Sequence, residues 1–534
     1  MKRQVNCTLA FADGTQVPKG TPIHTELVIQ TDPDGPSYGG RVEENGRLIF
    51  RFPDCAPQGQ KATLRVQTKG TDWVGHLVTP ADTPQRIDLQ QADGTTMTWN
   101  IGPSTECPHA IVLQRSAQPG PFKRSGRVRA QGRCWFDDNG FFFPLGETLF
   151  WAPRGWKFEN DRIRKNLKWL SEHRWDAIRI LCAVGWPGNE IDPTWPDYQP
   201  VLAGLIDAAY DEYGLRVIPT VWGGGSWNPV AVTDKVAEVI KGREHKILYA
   251  EAVNESFNNL ADDAVVRDMS KRLMATGVLT ASSCLNPPTD QRFAELASGC
   301  SNMVTVHLDR SGGDLDWRFV RQPWDVKTLP WPTSQNEPKG PGSSVSSTFS
   351  ALQIAQSRVV GIVCGAGAYV LHNGAGIFGQ RHTHQGTGVL RTANLFEMEG
   401  IDAIMQAVRG IDTLIPTGIE NWRKANDGWR PPLPEHALPA VDFWEDADTQ
   451  GVNKNYCAVD GPNRKFVCAP SGVRAPVDGQ VGGTFKARFA CKVKAYDTLT
   501  RELKAEATLA PDQTFTLPGR PDSMRAYIVV GELL

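Results

Sequence analysis

The sequence predicts a (β/α)8 barrel flanked by an N-terminal and a C-terminal β-sandwich. The chain has 534 residues, which is more than the roughly 250–300 residues that one hydrophobic core usually holds. Its middle alternates apolar strand-like runs with helix-period segments, and both ends contain short apolar runs between turn residues. The predicted units are residues 1–120 (β-sandwich), 121–127 (linker), 128–428 (barrel) and 429–534 (β-sandwich).

The N-terminal zone is rich in Gly, Pro, Thr and Asp, and its short alternating runs include residues 48–53 and 62–68. Short strands separated by turn residues are typical of a β-sandwich. The Gly- and Pro-containing stretch around residues 116–126 indicates a linker. Strand-like runs return after residue 430, and they predict a small second β-sandwich that packs on the barrel.

Eight buried strand candidates lie in the middle of the chain, with amphipathic segments between them. The candidates are residues 141–148, 177–183, 216–222, 246–253, 277–282, 302–308, 326–333 and 361–371. Eight strand–helix units in about 300 residues are typical of a (β/α)8 barrel. The structural alternative is a doubly wound open sheet, which favours a Gly-rich phosphate loop after its first strand. No G-x-G-x-x-G occurs there.

Composition and charge argue against several classes of protein. The 57 basic and 59 acidic side chains give a net charge of -2, whereas nucleic-acid binding needs a basic excess or patch. No run of about 18 apolar residues is present, so no membrane span is expected. The first 13 residues contain too few apolar side chains for a signal peptide, so we expect either a mature sequence or another route of export, such as release by a phage.

The cysteines and histidines predict no metal site and no cofactor. The 11 Cys form no C-x-x-C pair, so mostly buried free thiols are expected. Cys457 and Cys468 flank a turn-like stretch, and a disulfide across a hairpin is an alternative for this pair. His382 and His384 have metal-ligand spacing but lack a nearby carboxylate or Cys, so they are interpreted as loop residues.

Two glutamates stand where a barrel carries its active site, at the C-terminal ends of its strands. Glu255 follows the fourth predicted strand and Glu337 the seventh. Either glutamate alone is as well explained as a loop or turn residue. Together they suit glycosidic hydrolysis with retention of configuration, which needs two carboxyl groups about 5–5.5 Å apart. Glu251 lies inside the fourth strand, where a carboxylate is costly unless it is paired or functional.

The barrel segment resembles the glycoside hydrolases of clan A, and family 5, the cellulase- and mannanase-like enzymes, most of all. Those enzymes carry their acid/base glutamate after an asparagine at the end of strand four, as in Asn254-Glu255. Their nucleophilic glutamate ends strand seven, where this chain has Glu337. Residues 136–152 also look like the first strand of that clan, with its preceding hairpin.

The same resemblance implies a set of sugar-binding residues. Arg179 matches the arginine that supports the nucleophile, and His307 matches a histidine that contacts the substrate or the nucleophile. Asp309 replaces a usual aromatic residue, and Tyr369 to His372 stand where strand eight usually offers Trp. Apart from the resemblance, Trp222 and Trp227 follow the third strand and are interpreted either as sugar platforms or as packing residues. The predicted substrate-binding residues are Asn254, Arg179, His307, Trp222, His372 and Tyr369.

These features predict a retaining glycoside hydrolase that cleaves β-linked oligo- or polysaccharides without a metal or cofactor. The pKa of Glu255 is expected to be raised by burial and by the charge of Glu337. A carbohydrate-binding or virion structural protein with a decayed barrel is the alternative from another class. A metal-dependent hydrolase on the same barrel would need several His and Asp at the strand ends, and the sequence has too few.

Overall fold

The structure is a computed structural model of the chain. It describes residues 123–131, 134–260, 262–284, 295–307, 331–338, 351–363, 366–383, 390–398, 400–415, 489–518 and 527–534, together with the shorter strands named below. Asp309 and His384 lie outside these residues. The chain divides into two compact units, Met1–Gly120 and Pro121–Leu534.

The first unit contains eight strands that form one mixed sheet. They are Arg3–Phe11, His24–Ile29, Ser37–Val42, Arg47–Phe52, Lys61–Gln67, Trp73–Val78, Thr95–Asn100 and Ala110–Arg115. The first and last of these strands pair in parallel, and the other recorded pairs are antiparallel. The zone is therefore rich in strands, and its arrangement as a β-sandwich stays a prediction.

The second unit is built around eight parallel strands. We number them β1 (Leu145–Thr148), β2 (Ala177–Ala183), β3 (Arg216–Trp222), β4 (Ala250–Val253), β5 (Thr280–Ala281), β6 (Val304–His307), β7 (Thr333–Glu337) and β8 (Ala366–Leu371). The strand order is β5-β4-β3-β2-β1-β8-β7-β6. The backbone amide of Asn302, just before β6, donates to the carbonyl of Thr280 in β5 and brings the two edge strands together. This nearly closed parallel sheet confirms the predicted (β/α)8 barrel.

Helices surround the barrel strands. The α-helices are Ala152–Phe158, Asn160–Glu172, Tyr198–Asp211, Pro229–Ile240, Ser256–Asn259, Asp263–Met274, Ala351–Val363, Gly374–Phe378 and Ile401–Gly410, and the 3-10 turns are Glu244–Lys246, Leu395–Glu397 and Ile411–Thr413. Helix Pro229–Ile240 begins at Asn228, whose side chain accepts hydrogen bonds from the next free backbone amides. Among the described helices, none is both long and apolar enough to cross a membrane.

Several strand boundaries differ from the sequence prediction, and those of the last two strands differ most. The run 361–371 was predicted as one strand, but its first three residues end helix Ala351–Val363. A continuous apolar run does not distinguish a buried helix end from a strand, which explains the error. The seventh strand was predicted at 326–333; residues 326–330 lie outside the described residues, and β7 comprises Thr333–Glu337. All five of its residues are polar and buried, a pattern that apolar periodicity does not detect.

A small antiparallel sheet covers the N-terminal end of the barrel. Its strands are Arg129–Gln131, Cys134–Asp137 and Gly140–Phe142. Trp135 and Phe142 pack in one cluster with residues such as Ile218 and Val370. Asp137 is buried and paired with Arg124 and Arg216 at 2.6 and 3.0 Å. The described part of the barrel is therefore filled at this end, and its opposite mouth is open to a site.

The C-terminal strands form two antiparallel sheets. Their members are Arg423–Asn426, Val441–Trp444, Lys454–Asp460, Lys465–Ser471, Gly483–Ala487, Cys491–Asp497, Leu503–Leu509, Thr514–Leu517 and Tyr527–Leu533. The two sheets share one apolar cluster, and Val467 and Ile528 join the barrel core. Cys457 lies directly opposite Cys468 in register, and Cys468 is disulfide-bonded.

Glu147 in β1 is a carboxyl group buried in the barrel wall. The Asn373 side chain donates to its Oε1 at 2.6 Å, and its Oε2 has no hydrogen-bond partner among the described residues. Burial raises the pKa of Glu147 well above its ordinary value, and a backbone hydrogen bond opposes this only in part. Folding therefore favours the protonated form of this carboxyl group.

Replacing Glu147 with Gln is expected to make stability less dependent on pH. Because the folded pKa is raised, the wild type has its full stability below the unfolded glutamate pKa of about 4.3 and loses it as pH rises towards the folded pKa. The loss is about 1.4 kcal/mol per pH unit in that window, and the glutamine variant does not share it. Urea unfolding of both proteins across pH measures the difference, with the exposed Glu238→Gln as control. A difference that is constant with pH would contradict the raised pKa of Glu147.

Candidate active site

A set of polar side chains from the barrel strands and the residues just after them points into the barrel interior. Towards the C-terminal mouth these are Arg179 from β2, Asn254 and Glu255 after β4, His307 from β6, Glu337 from β7 and His372 after β8. Successive side chains of a strand point to opposite faces, so residues two apart share the interior. The structure therefore brings together polar side chains from five of the strand ends that the sequence analysis names.

Arg179 is the centre of the polar layer. Its guanidinium is fully buried and donates to Oε1 of Glu337 at 2.7 Å, to Oε2 of Glu251 at 2.7 Å and to Oδ1 of Asn254 at 2.8 Å. Burial acts to lower the pKa of Arg179, but the charges of the two glutamates outweigh it and raise the pKa. Arg179 thus stays cationic and holds Glu337 in a fixed orientation.

Glu251 is the carboxylate that the sequence places inside β4. Besides Arg179, it accepts hydrogen bonds from the hydroxyl groups of Thr220 at 2.9 Å and Thr305 at 2.7 Å. The Asn336 amide donates to it at 3.2 Å. A buried carboxylate is tolerated when it is paired and hydrogen-bonded, so Glu251 has a structural role in fixing Arg179.

Replacing Arg179 with Met is expected to destabilise the protein strongly, because it leaves Glu251 and Glu337 buried without their cation. Breaking a buried ion pair by removing one partner costs about 3–5 kcal/mol. Denaturant unfolding measures this cost. Arg164→Met, which removes a partly exposed pair with Glu212, should cost less than about 1 kcal/mol. Equal effects of the two variants would contradict the central role of Arg179.

Glu255 occupies the first turn after β4 in a left-handed backbone conformation, with φ 48° and ψ 71°. Few residues other than Gly adopt this conformation, and where they do, it often marks a functional site. Oε1 of Glu255 lies 2.9 Å from Nδ1 of His307, and the Asn258 amide donates to Oε2 at 2.9 Å. The side chain is 19% exposed, so it faces the open mouth of the barrel.

The expected rise in the pKa of Glu255 is wrong for this structure. Burial is the largest single influence and does raise the pKa, as does the charge of Glu337. The hydrogen bond and charge of His307, together with Asn258, outweigh both, so the pKa of Glu255 lies below its ordinary value. The sequence prediction considered Glu337 but not the contact with His307, which depends on the ends of β4 and β6 meeting at the barrel mouth.

Glu337 ends β7 and is almost completely buried. Its Oε1 binds Arg179, and its Oε2 lies 3.5 Å from Nδ1 of His307 and 3.7 Å from Nε2 of His372. The other ring nitrogen of His372 lies 3.0 Å from the hydroxyl oxygen of Thr148. His307 therefore stands between the two candidate catalytic carboxyl groups, and His372 approaches Glu337 from the opposite edge of β7.

Aromatic side chains border the mouth. Trp222 is buried, meets Trp227 edge to face with ring centroids 6.4 Å apart, and donates its indole N–H to the carbonyl of Asn259. Trp222 therefore braces the site, and the half-buried Trp227 is the more accessible of the two. The sequence reasoning missed Trp186, which packs against Phe150 and Phe378 with centroids 6.3 and 5.7 Å away. Trp186 follows β2 just as Trp227 follows β3, so its position after a barrel strand could have identified it from the sequence.

Tyr369 does not lie at the site, contrary to the prediction that it binds substrate. It is 2% exposed and belongs to the apolar cluster that includes helix residues Ile354 and Val359. Ala368 and Val370 face the barrel interior, so the alternation along β8 points Tyr369 towards the helix layer. His372, one residue beyond β8, is the side chain of this segment that reaches the mouth.

Cys284 is a second residue that the sequence reasoning missed. It follows β5 and is fully buried. Its sulfur, one oxygen of Glu255 and one ring nitrogen of His307 lie within 4.8 Å of one another. Burial, followed by the charges of Glu251 and the two mouth glutamates, raises the pKa of the Cys284 thiol well above its ordinary value. Its position at the C-terminal end of a barrel strand was the signal that distinguishes it from the other cysteines.

Comparison with known proteins supports the fold. No protein-family model matches the sequence, and no curated protein matches it. Among solved structures, the chain is similar to a glycoside hydrolase of family 5 from Bacteroides vulgatus ATCC 8482, with 12% identity, coverage of 76% of this chain and 93% of that one, and a TM-score of 0.54. It is similar to a second glycoside hydrolase at 12% identity, with coverage of 77% and 97% and a TM-score of 0.52. At such identities these neighbours confirm the likeness of fold to family 5.

Proposed function

We propose that the chain is a retaining glycoside hydrolase of clan A that cleaves β-linked oligo- or polysaccharides. The observation that carries the proposal is that Glu255 and Glu337 both approach one nitrogen, Nδ1 of His307, at 2.9 and 3.5 Å. Their nearest oxygens are therefore no further apart than these two distances laid end to end. Both carboxyl groups can thus reach one glycosidic bond, and retention of configuration is proposed from the resemblance to clan A.

Glu337 is the nucleophile in this proposal. Its pairing with Arg179 supports an ionised, oriented carboxylate, and Oε2 is the oxygen directed away from that pair. Attack of Oε2 on the anomeric carbon forms a glycosyl ester and breaks the bond to the leaving oxygen. The Asn254 amide, fixed by Arg179 through its oxygen, has its N–H groups left to bind the sugar 2-hydroxyl.

Glu255 is the acid/base. Burial acts to raise the pKa of Glu255 in the free protein, but the contact with His307, 2.9 Å away, outweighs it and lowers the pKa. A saccharide that displaces water from the mouth strengthens the effect of burial, which raises the pKa of Glu255 and favours its protonated form. Glu255 then protonates the leaving oxygen, and as a carboxylate it deprotonates the water that hydrolyses the ester.

The decayed barrel is the less favoured alternative, because the charged groups that a glycosidase needs are present and paired. A metal-dependent hydrolase also lacks support. The His, Cys and carboxylate cluster found among the described residues includes Glu255, which is the proposed acid/base and is not available as a permanent metal ligand. We also propose that the protein acts outside the cell, because a polymeric saccharide substrate would be met there. Aromatic residues such as Trp186 and Trp227 are suited to stacking on sugar rings around the mouth.

The test is incubation of the purified full-length chain with matched panels of β- and α-linked polysaccharides and aryl glycosides, with reducing ends measured over time. Release from β-linked members is expected. Release confined to α-linked members would contradict the assigned linkage. No release from either panel would contradict hydrolase activity and favour a binding or structural role.

A further inference from the structure

The strand ends β4, β5 and β6 place three different metal-ligating side chains in one group at the mouth. We propose that Glu255, Cys284 and His307 form a binding site for a thiophilic divalent cation such as Zn²⁺, and that cation binding inhibits turnover. The binding itself is independent of the proposed function, whereas the inhibition rests on it. The cation would regulate the site rather than take part in the reaction.

The geometry supports three ligands. One Glu255 oxygen, the Cys284 sulfur and one His307 ring nitrogen lie within 4.8 Å of one another. Tetrahedral Zn²⁺ binds sulfur at about 2.3 Å and nitrogen or oxygen at about 2.0–2.2 Å, so small side-chain movements bring all three into contact. A water molecule at the open side of the partly exposed Glu255 would supply the fourth ligand.

The identity of the donors selects the cation. A thiolate with an imidazole and one carboxylate suits Zn²⁺ and Co²⁺ and disfavours Mg²⁺ and Ca²⁺, which prefer oxygen ligands alone. Binding of the cation releases the proton of the Cys284 thiol to solvent. The resulting thiolate and the Glu255 carboxylate offset the charge of the cation. Glu337 lies 3.5 Å from His307 and adds further negative charge nearby.

An independent observation points to a missing partner at this place. His307 is 8% exposed, and its Nε2 has no hydrogen-bond partner among the described residues. A buried ring nitrogen without a partner is costly, and coordination is one way to satisfy it. The ring thus offers Nε2 as a donor to the cation in addition to Nδ1, which contacts Glu255.

Occupation of the site would block hydrolysis, because a carboxylate that ligates a cation cannot hold the proton for the leaving oxygen. The inhibition should be removed by a chelator. It should also be specific, with Zn²⁺ and Co²⁺ effective at concentrations where Mg²⁺ and Ca²⁺ are not.

The test is titration of chelator-treated full-length protein with Co²⁺, followed by thiolate-to-cobalt charge-transfer absorption, and then competition with Zn²⁺. Wild type is expected to show the band. Cys284→Ser should lose it and bind Zn²⁺ at least about tenfold more weakly. The matched control is Cys300→Ser, a buried cysteine whose thiol donates to backbone carbonyls, and it should bind as wild type does.

A band that persists in Cys284→Ser, or no binding by wild type, would overturn the site. A band with the expected Cys284 dependence in a protein that hydrolyses no glycoside would leave the site standing and reject the proposed function. If the protein hydrolyses a glycoside and bound Zn²⁺ does not slow it, the inhibitory role is overturned.

Discussion

Replacement of Glu337 by Ala is expected to lower kcat on β-linked saccharides by at least about 10⁴-fold, which is the scale of loss when a covalent nucleophile is removed. The buried Glu251 cannot act in its stead, because Arg179, Thr220 and Thr305 hold it. Reducing-end release by the variant and the wild type, on the substrate identified by the panel, measures the effect.

The controls separate chemistry from folding. Glu238→Ala changes an exposed helix residue and should retain wild-type kcat. Azide is small enough to enter the space left by Glu337→Ala and should restore turnover of aryl β-glycosides, with the α-glycosyl azide as product because one displacement inverts the anomeric carbon. Substantial turnover by Glu337→Ala without azide would reject Glu337 as the nucleophile.

Replacement of Glu255 by Gln is expected to affect substrates according to their leaving groups. An alkoxide leaving group needs a proton, so hydrolysis of a natural saccharide should fall by about 10²–10⁴-fold. An acidic dinitrophenol needs none, so the glycosylation step of its glycoside should proceed at close to the wild-type rate. The burst of phenol released before the steady state measures that step.

Each substrate serves as the control for the other in this variant, because a folding defect would slow both equally. His307→Gln gives a second comparison, since it removes the contact that lowers the pKa of Glu255 and should change the pH dependence of saccharide hydrolysis more than that of the dinitrophenyl glycoside. Equal losses on both substrates in Glu255→Gln would contradict an acid role.

The barrel and the placement of the charged residues follow from local sequence pattern. Buried strands such as Arg216–Trp222 are continuous apolar runs, and polar residues directly after a strand must stand at the mouth of a barrel. That rule placed Glu255 and Glu337 correctly at strand ends and drew attention to Glu251. Their catalytic roles remain predictions, because position at a strand end does not define chemistry.

The features that the sequence did not predict depend on contacts between distant strands. The pKa of Glu255 is set by His307, two strands away, and the direction of Tyr369 is set by the register of β8. Cys284 resembles any buried cysteine until the ends of β4, β5 and β6 are brought together. Local periodicity contains none of this information, because it reports burial and not which side chains meet.

The most direct test of the central claim is the anomeric configuration of the first product, followed by proton NMR during early turnover of a β-linked substrate. A double displacement through Glu337 predicts that the β-anomer appears first and the α-anomer only later, by mutarotation. Initial appearance of the α-anomer would show a single displacement by water, and it would contradict the proposal that Glu337 forms a covalent intermediate.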